Sequence, residues 1–142
     1  MTVPRSLPAA MLLLMLGCAA TPPDEAQLYR ELGGQGGITA IVDAFLYELS
    51  EDHDVLPLFA NTDIERFREK FIEQLCEVSG GPCRYSGDTM RETHRDMRVT
   101  RAQFNSVVED LIRAMEHERV PVAAQNRLLK RLAAMYDDIV YL

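Results

Sequence analysis

Apolar residues in this chain recur at three- and four-residue spacing, in blocks that glycine or proline cuts short. That rhythm constrains the fold more than any other feature. Ala26 to Leu32 makes a short helical piece stopped by Gly33-Gly34, with Gly36-Gly37 following at once. From Ile38, the residues Ile41, Val42, Phe45, Leu46 and Leu49 share one face of a helix ending near Asp52. Val55 to Phe59 is long enough for a single turn. Asn61-Thr62-Asp63 offers caps for a third helix with Ile64, Phe67, Phe71, Leu75 and Val78 on one side, ended by Gly80-Gly81-Pro82. Met90 to Met97 reads as a short helix. Thr100 and Gln103 form a capping box ahead of a long helix facing inward through Phe104, Val107, Val108, Leu111, Ile112 and Met115. Pro121 suits the start of a last helix with Leu128, Leu129, Leu132, Tyr136, Ile139 and Val140 inward. No run alternates as a strand does, and no repeat is present. The fold class is all-α.

The 142 residues suit one domain with a real core. An excess of 22 acidic over 15 basic residues argues against nucleic acid as a partner. The apolar run Leu7–Leu16 behind Arg5 is too short to span a bilayer, which takes about 20 residues. It reads as an export signal over 1–17. Met15-Leu16-Gly17-Cys18 resembles a lipobox, which would make Cys18 a lipidated mature N-terminus. Ordinary cleavage after Ala19 or Ala20, or a buried N-terminal helix, are the alternatives. Residues 18–25 then form a tether and 26–142 the domain. Gly34-Gln35-Gly36-Gly37 contains a G-x-G, but no strand precedes it, so an interhelical turn is the better reading than a phosphate loop.

Of three histidines, His53 and His117 sit among acidic residues and read as solvated. His94 lies on an apolar face between Met90 and Met97. Taken alone it reads more readily as a satisfied structural residue than as a ligand. Its setting adds more. The order of short helix, glycine pair, helix with Phe45, and helix ended by Gly80-Gly81 leads into Ser79-Gly80-Gly81-Pro82-Cys83-Arg84-Tyr85-Ser86-Gly87-Asp88-Thr89-Met90-Arg91-Glu92-Thr93-His94. This arrangement resembles the group I truncated haemoglobins over roughly Gln27 to Val140.

The resemblance implies a two-over-two helical sandwich around b-type haem, with His94 as the proximal iron ligand. It implies pocket walls from Phe45, Leu46, Phe59, Phe67, Phe71, Met90, Met97 and Val107, with Leu75, Phe104 and Val108 nearby. Lys70 or Arg66 would reach a haem propionate. No C-x-x-C-H is present, so covalent attachment of the c type is not expected. Where family members carry a tyrosine after the phenylalanine of the second helix, Phe45 is followed by Leu46, and Tyr47 is turned away. A shift of register by one residue would restore Tyr47. Phe67 and Phe71 replace glutamine, so these walls carry no hydrogen-bond donor and predict rapid oxygen release. Gln74 is the one amide close by.

In an exported protein Cys76 and Cys83 suit a disulfide; two free thiols or pairing between molecules are the alternatives. The expected function is binding of oxygen or another diatomic gas on the periplasmic side of a membrane, lipid-anchored or else soluble in the periplasm. Nitric oxide dioxygenation or weak peroxidase chemistry is a further possibility that no motif encodes, and dioxygenation would need an electron donor. A haem-free envelope lipoprotein acting as an interaction module is the alternative from another class, and gas sensing a third.

Overall fold

The structure is a computed structural model and describes residues 24–142. The expected export signal, Cys18 and most of the expected tether lie outside the described residues.

Helix α1 (Gln27–Glu31) is followed almost at once by α2 (Gly34–Glu51). Apolar spacing alone starts α2 at Ile38, four residues late. Gly33 and Gly34 turn the chain with φ of 86° and 64°, Gly36 and Gly37 are already helical, and the chain passes very close to itself there. The Gly37 N–H donates to Gly33 O at 3.1 Å, and a Cβ on Gly37 would lie only 2.0 Å from Leu32 O. The interhelical turn is thus confined to Leu32–Gly34, and a side chain would resist the positive φ of both its glycines.

A 3-10 turn (Leu56–Phe59) leads to α3 (Ile64–Val78), capped by the Asp63 carboxylate accepting from Arg66 N at 3.0 Å. Ile64, expected on the inner face, is exposed, and the buried residues of α3 are Ile72, Gln74, Leu75 and Cys76. The helix ends in a Schellman motif: Gly81 N–H donates to Cys76 O at 2.8 Å, Gly80 N–H to Glu77 O at 3.0 Å, and Gly80 takes a φ of 84°. A disulfide joins Cys76 to Cys83 across this turn, with Cα atoms 5.7 Å apart.

Helix α4 (Met90–Thr93) opens on a reciprocal capping box of Thr89 and Glu92. Its expected continuation to Met97 fails: the chain leaves the helix at His94, and Asp96 and Arg98 take φ of 65° and 51°. Helix α5 (Arg101–His117) starts at the Thr100–Gln103 capping box, as its sequence predicts. Helix α6 (Val122–Ala133) begins after Pro121 but stops seven residues short of Val140. The tail turns back instead, donating Tyr141 N–H to Val99 O at 2.9 Å and accepting from Arg98 N–H at Leu142 O, 3.0 Å away. The C-terminus therefore closes over the segment just after His94.

Helices α2 and α3 form one layer and α5 and α6 the other, with α2 packed on α5 and α3 on α6. Ile38, Ile41, Val42 and Phe45 of α2 meet Leu75, Met115 and Leu128 in a fully buried centre. This is the two-over-two helical sandwich.

One carboxyl is buried away from that centre. Asp110 on α5 has no solvent exposure; its Oδ1 meets Arg113, and its Oδ2 has no hydrogen-bond partner. Burial pushes its pKa up to about 6; Arg113 opposes the shift, while Asp52 and Glu48 add to it. A pKa raised on folding gives stability that is full below the unfolded value and lost as pH rises through about 6. Asp110→Asn is therefore expected to stabilise the protein above pH 7 by on the order of 2 kcal/mol. The advantage should shrink towards zero near pH 4, read as paired melting curves across that range. A difference that does not vary with pH would rule out burial of charge as its cause.

Candidate functional site

Between α3, α4, α5 and the C-terminal tail lies a cavity of about 580 Å³, within the range that takes a cofactor. One wall is aromatic. Phe45 of α2 stands 5.1 Å from Phe71 of α3 between ring centroids, Phe71 stacks on Phe67 at 5.7 Å, and Phe67 meets Phe59 edge-on at 5.3 Å. Phe67 and Phe71 are four residues apart on α3, so one helical face presents both rings. Across the cavity, Met90, His94 and Met97 form the opposite side, with Val107 and Val108 from α5 between them. The floor is buried at Phe45, Gln74, Val99 and Leu111, whereas Asp63, Arg66 and Asp88 are exposed at the mouth.

His94 is held in one tautomer. Its Nδ1 lies 2.8 Å from Met90 O, and a carbonyl only accepts, so Nδ1 carries the proton and Nε2 keeps its lone pair. The backbone N–H of His94 donates to the same oxygen at 3.0 Å. The short α4 thus grips the imidazole through the carbonyl of its first residue. His53 and His117 are exposed and off the cavity.

Of the residues that the sequence nominates for the pocket, Phe45, Phe59, Phe67, Lys70, Phe71, Met90, His94, Met97 and Val107 all line the cavity. Leu46 does not. It is half-buried and packs against the core beside α2, because Phe45 takes the inward position. Tyr47 is 65% exposed, which leaves its hydroxyl in solvent. Lys70 reaches the rim, but Glu73 and Ser86 engage its ammonium at 2.9 and 2.7 Å. That contact, with the Ser86 hydroxyl and N–H, holds the Glu73 carboxyl below its usual range. Arg66 shares the rim. Sequence reasoning gave no pocket role to Tyr85, Leu129, Met135 or Ile139. The inward face of α6 was a usable signal for Leu129, but Met135 and Ile139 arrive only through the bend after Ala133.

Residues 27–141 match the model of the family described as bacterial-like globin. The group 1 truncated hemoglobin of Tetrahymena pyriformis is 29% identical over 113 residues, covering 80% of this chain and 93% of that protein. The group 1 truncated hemoglobin of a Nostoc species is also 29% identical, over 80% of this chain and 96% of its own. The crystal structure of the Tetrahymena pyriformis protein in its Fe(III) form superposes with a TM-score of 0.78 at 27% identity, covering 81% of this chain and 98% of that one. A group II truncated hemoglobin from Bacillus anthracis follows the same fold, with a TM-score of 0.71 at 25% identity. The chain belongs to the bacterial-like globin family. Within it, the likeness is to the group I truncated globins, and the cofactor is haem with its iron.

The residues present fit that group. The cavity is walled by aromatic and aliphatic side chains, as a flat apolar macrocycle requires, and its mouth carries two cations where carboxylates would emerge. His94 lines it with the tautomer already set for a metal, its other ring nitrogen satisfied by a backbone carbonyl.

Proposed function

We propose that this chain binds b-type haem through His94 and takes oxygen or a related diatomic gas, on the periplasmic side of a membrane. The observation that carries the haem-ligand assignment is the Met90 carbonyl fixing His94 with Nε2 free. Bound there, haem iron would supply the chemistry that takes up a diatomic gas.

The side chains do the rest. Phe45, Phe59, Phe67 and Phe71 exclude water from the gas-binding side and give the macrocycle a dry wall. Met90 and Met97 fill the space beside the imidazole with adaptable thioethers. Lys70 and Arg66 neutralise the propionates at the mouth, with Glu73 and Ser86 setting where the Lys70 ammonium stands. Tether and address follow from the leader pattern: Cys18 carries lipid, and 18–25 spaces the globin from the bilayer.

Stepwise addition of haemin to the purified protein is expected to give a Soret band that saturates at one haem per chain. No band would favour the haem-free interaction module instead. For the tether, incorporation of a labelled fatty acid is expected in cells and lost in Cys18→Ser; a soluble, unlabelled periplasmic protein would overturn it. Tyr47→Phe is expected to leave oxygen release from the ferrous protein unchanged, since the hydroxyl lies outside. Release that accelerates in Tyr47→Phe, measured by stopped flow, would put Tyr47 in the pocket.

A further inference from the structure

Gln74 is only 9% exposed and lines the cavity on its His94 side, where its amide Nε2 lies 3.3 Å from Met90 Sδ and 3.5 Å from Met135 Sδ. A thioether is a weak acceptor, so the N–H groups of this amide are buried with little return. Burying an amide without a good acceptor is costly. Met90 and Met135 are half-buried rather than sealed, and the cavity of about 580 Å³ that they line opens at Asp63, Arg66 and Asp88. A small polar oxidant such as hydrogen peroxide therefore has a route to both sulfurs.

We propose that Met90 and Met135 form a methionine-oxidation site for hydrogen peroxide, with the Gln74 amide as the donor that assists the oxidation and holds its product. A sulfur lone pair attacks one peroxide oxygen, and the O–O bond breaks. The departing oxygen takes the proton of the first and leaves as water, so the thioether is oxidised to a sulfoxide and the peroxide is reduced. Negative charge builds on the oxygens as this happens. Water stabilises that charge in solution; at a half-buried sulfur a fixed amide does so without reorganising. The sulfoxide oxygen is then a strong acceptor beside N–H groups that had only sulfur to bond. Methionine is flexible enough to bring it into line. A sulfoxide ordinarily disrupts an apolar core, whereas here its donor is already in place. The site needs no iron and goes beyond the haem-binding function proposed above.

The test treats the full-length, haem-free protein and Gln74→Leu with limiting hydrogen peroxide. Peptide mass mapping follows the gain of one oxygen at each methionine. Met97 lines the same cavity but is not bonded to the Gln74 amide, so it serves as the internal clock. Met115 is fully buried in the core and reports unfolding. In the native protein Met90 and Met135 are expected to oxidise ahead of Met97, with Met115 left reduced. In Gln74→Leu their rates are expected to fall about five- to tenfold, the worth of one neutral hydrogen bond, with the Met97 rate unchanged. At matched sulfoxide content the drop in melting temperature should be smaller in the native protein than in the variant. Met97 oxidised first in the native protein, or Met90 and Met135 rates that the variant leaves unchanged, overturn the proposal. Early oxidation of Met115 in the variant would mean that the variant has opened, and the order of oxidation in the native chain then decides alone.

Discussion

His94→Ala is expected to lower haem affinity by on the order of 100-fold or more, since even partners one shell out from a metal are worth 10–100-fold. No other histidine among the described residues can take its place: His53 and His117 are exposed and lie off the cavity. The native Soret band should be replaced by the broad spectrum of weakly held haem. His94→Gly with added imidazole should restore the native band, because the missing group then returns as a solute. The half-buried ring supports little of the core, so the haem-free variants should melt close to the native protein. A histidine-type spectrum that persisted in His94→Ala would remove the ligand assignment.

The second large effect is in the backbone. Gly80→Ala is expected to cost about 3 kcal/mol or more, because two penalties coincide. Gly80 holds a φ of 84°, and a Cβ there would lie 1.9 Å from Glu25 O, the backbone just ahead of α1. Gly36→Ala should instead stabilise by about 0.5–1 kcal/mol, since that residue is helical with open space around it. Urea midpoints of the two variants should therefore move in opposite directions. Equal tolerance at both sites would mean that α1 does not press on the end of α3.

These two glycines mark how far the sequence could be read. Both occur in glycine pairs that read alike as helix stops. The close passes of Gly37 to Leu32 and of Gly80 to Glu25, with the positive φ of Gly80, set those two apart from Gly36. Similarly, apolar spacing cannot end α4 at His94, since Met97 continues the helical rhythm. Tertiary pairing of Val99 with Val140 stops it. The same rhythm placed Leu46 beside Phe45 in the pocket, whereas adjacent helical residues point about 100° apart and only one of them can face it.

By itself the sequence determined where helices occur, the capping box at Thr100, a cap within Asn61–Asp63, most of the apolar faces, and His94 as the lone histidine on one of them. Those are local properties, set by spacing and by side chains bonding their own backbone. The tertiary structure decided which faces meet. It turned Phe45 rather than Leu46 to the cavity, left Tyr47 in water, and buried the Gln74 amide among thioethers. Burial depends on what packs from the other side, and no local pattern carries that information.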